Sequence, residues 1–131
     1  HYHIVFPVKY RKALLRDDVP LAIVQIAQEI SARYDIEFEK IGADSDHLHI
    51  LASFPPKHSG SAVVRIFKSI TARELFQRFP ALKKELWGGE FWSDGFYLAT
   101  VSERGNWKAV EAYVANQGKT MDQPPQLRLF T

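Results

Sequence analysis

The chain contains no cysteine, and that absence removes disulfides, zinc–thiolate centres and cysteine nucleophiles together, while remaining compatible with a reducing intracellular compartment. It also lacks any run approaching the roughly 18 apolar residues of a membrane span. Its first residues, HYHIVFPVKY, read as a strand and not as a charged-then-apolar leader. A soluble protein with no membrane partner is therefore expected. There is no internal repeat and no low-complexity tract. Nor is there a large excess of one charge: 17 Lys and Arg stand against 15 Asp and Glu, a formal net charge of +2. Any nucleic-acid reading must rest on where the positive residues are placed. With thiols absent, chemistry has to come from His, Tyr, Ser or carboxylates.

What is present suffices for one domain over residues 1–131, because 46% hydrophobic and 13% aromatic residues can build a core at this length. His1 to Val8 is β-branched and aromatic and leads into the basic cluster Lys9-Tyr10-Arg11-Lys12. Asp17 or Asp18 can cap a helix with Pro20 in its first turn, and Ile23, Ile26, Ala27, Ile30 and Tyr34 then recur at helical spacing. Ile36 to Ala43 and His47 to Ser53 read as an antiparallel hairpin across a short Asp/Ser turn, ended by Pro55 and Pro56. A second helix from Ser61 to about Phe79 sets Val63, Ile66, Phe67 and Ile70 against a basic side with Arg65, Lys68, Ser69 and Arg73. LKKELWGGEFWSDG reads as a loop region before a strand from Phe96 to Ser102. Gly105 and Asn106 precede a third helix, Trp107 to Gln117, stopped by Gly118, and residues 119–131 form an extended tail with two prolines. The order β-α-β-β-α-β-α predicts an α+β fold, a ferredoxin-like antiparallel sheet with helices on one face plus a C-terminal helix.

Two of the five histidines fall in the stretch DSDHLHIL. Side chains at i and i+2 of a strand share a face, so His47 and His49 point one way while Leu48 and Ile50 point the other. Two readings are open: a preorganised pair of imidazole metal ligands, or strand histidines hydrogen-bonded to their neighbours. In the last helix, Tyr113 and Gln117 lie one turn apart on one side. That too has two readings, a core stripe or a site, and a glutamine on such a stripe needs partners for its amide.

These residues carry a resemblance. FPVKYRK, DHLHIL, SFPPKHSGSAVVRIFKS, LKKELWGGEFWSDGFYLATV and YVANQ, in this order and spanning nearly the whole chain, resemble the single-tyrosine HUH transposases, the TnpA-type enzymes of the smallest bacterial and archaeal insertion sequences. The resemblance implies that His47 and His49 are metal ligands, Gln117 a third ligand and Tyr113 the nucleophile. It implies cleavage and rejoining of single-stranded DNA at hairpin-containing element ends through a 5′-phosphotyrosine link, by a homodimer, in a bacterial or archaeal cytoplasm at the nucleoid. Within the sequence itself, Gly105 before the last helix reads either as a hinge that lets the Tyr113 helix swing between subunits or as an ordinary turn.

The residue types suit that chemistry. A phenol with a reference pKa of about 10 needs a cation or base to act as a nucleophile. A hard divalent ion, Mg²⁺ or Mn²⁺, held by two imidazoles and an amide oxygen can polarise a scissile phosphate, with nitrogen ligands favouring Mn²⁺ in raw affinity. A phosphotyrosine conserves the bond for transfer, so no nucleotide cofactor is needed. Lys9, Arg11 and Lys12 beside the first strand, and Arg65, Lys68 and Arg73 on the second helix, could neutralise backbone phosphates, with Tyr10 or an exposed Trp as a stacking surface. Two rival readings remain: a domesticated relative that nicks host repeat hairpins, and a non-catalytic ferredoxin-like nucleic-acid module, although the latter's aromatic sheet-face signature is replaced here by histidines.

Overall fold

The computed structural model describes residues 1–86 and 89–101, together with the backbone of 129–130. Gly105, the expected Trp107–Gln117 helix with Tyr113 and Gln117, and the tail apart from Leu129–Phe130 lie outside the described residues. In chain order the elements are β1 (Tyr2–Pro7), a 3-10 turn (Lys9–Arg11), α1 (Val19–Tyr34), β2 (Glu37–Ala43), β3 (His47–Ser53), α2 (Gly60–Arg78), α3 (Leu82–Glu85), β4 (Tyr97–Thr100) and β5 (Leu129–Phe130). The sheet order is β4-β1-β3-β2-β5, and every pairing is antiparallel. This is the expected ferredoxin-like α+β arrangement, with β3 in the middle. The two-residue β5 adds to the outer edge of β2, so the tail is extended where it is described.

Alternation along the strands decides which face is packed. Ile4 and Phe6 of β1 and Leu48, Ile50 and Ala52 of β3 are buried in one cluster with Ile23, Ile26, Ala27 and Ile30 of α1 and Val63 and Phe67 of α2. Phe6 stacks on Phe67 with ring centroids 4.8 Å apart. Each fully buried side chain of this size contributes about 1.5–3 kcal/mol. A one-residue slip of β3 would replace Leu48 and Ile50 with His47 and His49 in that core, so the helix layer enforces the register that presents the histidines on the opposite face.

Several boundaries differ from the sequence reading for local reasons. Ser59 Oγ accepts from the Ala62 amide at 3.0 Å, so α2 starts at Gly60. Asp18 occupies the N-cap of α1 without a side-chain hydrogen bond. The segment read as a loop contains α3, a single turn that buries Leu82. Trp92 is core, 4% exposed, with its indole N–H donating to Thr71 Oγ1 at 2.8 Å. It is therefore not a stacking surface, whereas Tyr10 is 58% exposed.

Candidate active site

On the face away from the helices, β1 and β3 pair so that Val5 opposes His49 and Pro7 opposes His47. His3 lies two residues before Val5, on the same face and diagonal to His49. On its other side His49 opposes Gly42 of β2, a neighbour with no side chain to crowd the imidazole. His3, Val5, Pro7, Arg11, His47, His49 and Tyr97 line one cleft of about 480 Å³. The His47 and His49 rings have centroids 4.8 Å apart and meet edge to face.

The histidines are held from behind. His47 Nδ1 lies 2.6 Å from Asp46 Oδ1. A carboxylate only accepts, so His47 Nδ1–H donates and Nε2 keeps its lone pair when the ring is neutral. Arg11 Nε and Nη2 reach Asp46 Oδ2 at 3.1 and 3.0 Å. Burial opposes the charged form of Asp46, but the hydrogen bond and charge of His47 and the Arg11 guanidinium outweigh it, so its carboxyl sits below the usual range. Asp44 is 1% exposed, with Oδ2 3.7 Å from His47 Nε2. His49 is 2% exposed. Burial first, then the neighbouring His47 and His3, push its pKa down to about 3. It is therefore neutral at physiological pH, the protonation state a metal ligand requires.

Backbone strain marks the rim of the cleft. Tyr10 and Arg11 have φ of 58° and 52°, left-handed values that cost about 1 kcal/mol or more each in non-glycine residues. The turn is held by the Arg11 amide donating to Val8 O at 2.8 Å and the Val8 amide donating to Asp46 O at 2.8 Å. This conformation brings Arg11 to Asp46 and the cleft.

The structure thus unites His47, His49 and Arg11, and adds His3, Asp44, Asp46 and Tyr97, which sequence reasoning passed over. The signal for His3 was its even spacing from Val5 and Pro7, but only the β1–β3 register turns that spacing into proximity. Lys9 pairs with Glu90 at 3.4 Å, and Lys12 is exposed. The other basic cluster is not beside the histidines. Arg65 and Arg73 are exposed on α2, in the helix layer across the sheet, and the Lys68 ammonium donates to the carbonyls of Ser93, Asp94 and Gly95 at 2.7, 3.2 and 3.4 Å. Lys68 clasps the loop before β4, and burial lowers its pKa.

A divalent cation fits this chemistry in two observed respects: adjacent imidazoles on one rigid strand, and a carboxylate that sets the His47 tautomer. Among the described residues no three His, Asp or Glu side chains form a metal-holding group. Gln117, the third ligand that the resemblance implies, lies outside the described residues.

Comparison with known proteins gives the family of the chain. The family model described as "Transposase IS200 like" matches residues 1–117. The chain belongs to that family. The transposase is 33% identical over 117 residues to the ISDra2 transposase TnpA of Deinococcus radiodurans, covering 88% of this chain and 82% of the relative. It is 29% identical over 116 residues to the transposase for insertion sequence element IS200 of Salmonella typhimurium, covering 88% and 75%. A crystal structure of a D. radiodurans protein assigned as a transposase superposes on this transposase with a TM-score of 0.72 at 31% identity, over 89% of both chains. A REP-associated tyrosine transposase bound to a REP hairpin gives 0.70 over 95% of this chain and 70% of its own, at 12% identity, a likeness of fold alone. Among the described residues no helix of the transposase is long and apolar enough to cross a membrane.

Proposed function

We propose that this IS200-like transposase cleaves and rejoins single-stranded DNA beside hairpins, with Tyr113 as nucleophile and with His47, His49 and Gln117 holding a divalent cation, Mg²⁺ or Mn²⁺. The observation that carries the reading is the His47–His49 pair, braced by Asp46 and opening on a cleft with Arg11 at its rim, in a chain whose family is that of the IS200-like transposases. When bound, the cation would polarise the scissile phosphate and lower the barrier to attack by a phenolate.

The protein's own groups account for the rest. The Tyr113 oxygen attacks phosphorus, the bond from phosphorus to the 3′ oxygen breaks, and the leaving oxygen takes a proton to become a 3′-OH, while the 5′ phosphate remains on tyrosine. Attack by another 3′-OH reverses the step and returns the phenol, with no net hydrolysis and no nucleotide cofactor. Arg11 stands beside the histidines with fixed positive charge suited to a phosphate oxygen. The solved relative that holds a REP hairpin makes hairpin DNA the natural first substrate, and a homodimer sharing Tyr113 helices about Gly105 is the assembly we propose.

Incubation with 5′- and 3′-labelled single-stranded hairpin oligonucleotides and Mn²⁺ should give a covalent protein–DNA adduct and a free 3′-OH fragment. Tyr113→Phe should lose the adduct, and Tyr97→Phe should keep it, although Tyr97 lines the same cleft. An adduct retained by Tyr113→Phe and lost by Tyr97→Phe would move the nucleophile to β4.

A further inference from the structure

The register that sets His3 diagonal to His49 also brings their ring nitrogens together. His3 Nε2 and His49 Nδ1 are 3.3 Å apart, and the two rings lie near parallel, 19° between planes and 5.6 Å between centroids. Tyr97 packs edge-on against His3 from β4, with centroids 5.9 Å apart. His3 is therefore held between the cleft wall and the buried histidine, on a strand that pairs on both sides.

Two neutral imidazoles joined at these nitrogens share one proton in one of two ways. If His3 Nε2–H donates, His49 Nδ1 accepts, and the His49 proton must sit on Nε2. If His49 Nδ1–H donates, His3 Nε2 accepts, and His49 Nε2 keeps its lone pair. Only the second arrangement gives His49 the same polarity as His47, whose Nδ1–H is committed to Asp46 Oδ1 at 2.6 Å. Resting on the metal-dependent reading above, we propose that His3 is a positioning residue: its Nε2 accepts from His49 Nδ1–H and fixes the tautomer in which His49 Nε2 can ligate a divalent cation.

The acceptor's neutrality also matters. Asp44 and Asp46 already bring two carboxylates to His47. A third behind His49 would add negative charge where a DNA phosphate has to approach, whereas an imidazole supplies the lone pair without the charge.

The test compares wild type with His3→Phe, which keeps a flat ring against His49 but has no acceptor, and with His3→Gln, whose amide oxygen can accept the same proton. Long-range ¹H–¹⁵N correlation spectra of the imidazoles, taken on metal-free protein near neutral pH, read the His49 tautomer directly. Mn²⁺ affinity is read from the electron paramagnetic resonance signal of the free ion. The expected result is an Nδ1–H tautomer in wild type and His3→Gln, a shift toward Nε2–H in His3→Phe, and Mn²⁺ affinity roughly 10- to 100-fold weaker in His3→Phe, with His3→Gln restoring most of it. An Nε2–H tautomer in wild type would overturn the assignment. So would wild-type tautomer and affinity in His3→Phe, provided that His49→Ala loses Mn²⁺. If His49→Ala itself binds Mn²⁺ as tightly as wild type, the metal reading fails and the role of His3 falls with it.

Discussion

Thr71→Val should destabilise the protein through one identifiable atom. Thr71 is fully buried and Trp92 is 4% exposed. The threonine hydroxyl accepts the indole N–H at 2.8 Å and donates to the Phe67 carbonyl at 2.6 Å. Valine preserves the branched shape, so no cavity opens, but the indole N–H is left buried without an acceptor at a cost of about 1–3 kcal/mol. The Phe67 carbonyl is served inside α2 by the helix ladder, so its loss is secondary. For a chain of this size each kcal/mol moves Tm by about 3–5 °C. Urea unfolding followed by tryptophan fluorescence and far-ultraviolet dichroism should show a lower midpoint at unchanged slope. The decisive control is the cycle with Trp92→Phe, which removes the donor. In that background Thr71→Val should cost little, giving a coupling of about 1–2 kcal/mol. Equal costs in both backgrounds, or a single-variant loss below about 0.5 kcal/mol, would refute the assignment. The consequence reaches the site, because the Phe91–Ser93 segment is bonded to β1 and its turn through Lys9 N to Phe91 O at 2.8 Å and Ser93 N to Pro7 O at 2.9 Å. Pro7 is part of the cleft wall.

Three further outcomes are expected. Combined Arg65→Ala and Arg73→Ala should weaken hairpin binding and flatten the log–log salt dependence by about 0.7–0.9 for each phosphate that is no longer neutralised; an unchanged slope would move the DNA surface elsewhere. In chelator-treated protein, the His49 pKa of about 3 against an ordinary 6.5 means that the unfolded chain takes up a proton the folded chain refuses between those values. Stability is then complete above pH 6.5 and falls with acidification by about 1.4 kcal/mol per pH unit for that proton. His49→Gln should remove that slope in denaturant titrations between pH 5 and 6.5, and an equally steep variant would show that His49 titrates normally. Mixing Tyr113→Phe chains with His47→Ala, His49→Ala chains should restore cleavage if the protein dimerises as proposed and builds its sites from both chains, and continued inactivity in verified heterodimers would mean assembly within one chain.

Periodicity made most of the scaffold legible. The Ile23–Ile30 stripe, the hairpin with its polar turn and the alternation at His47–His49 each state a local choice that the core then ratifies, and the β-α-β-β-α-β order leads to the observed sheet. What escaped depends on partners distant in sequence. Lys68 has the spacing of a solvent-facing helix residue, yet its long stem carries the ammonium to three carbonyls 25–27 residues away. Trp92, inside the Trp-Gly-Gly-x-x-Trp segment, carries no local sign of whether it is exposed or core, and its burial depends on Thr71, 21 residues away, satisfying its N–H. α3 is one turn, too short for a period to register. The same limit applies to the site. His47 and His49 announce themselves because their relation is fixed by the strand that bears both, and Asp46 adjoins them in the chain. His3 is 46 residues from His49, and nothing in its own neighbourhood distinguishes it from any strand histidine. Its role follows from cross-strand register, which is set by the apolar residues on the other face. The helix-facing core therefore determines which nitrogen of His3 meets which nitrogen of His49, and substitutions at Ile4 or Ile50 that shift the β1–β3 pairing should disturb the active-site tautomer before they unfold the protein.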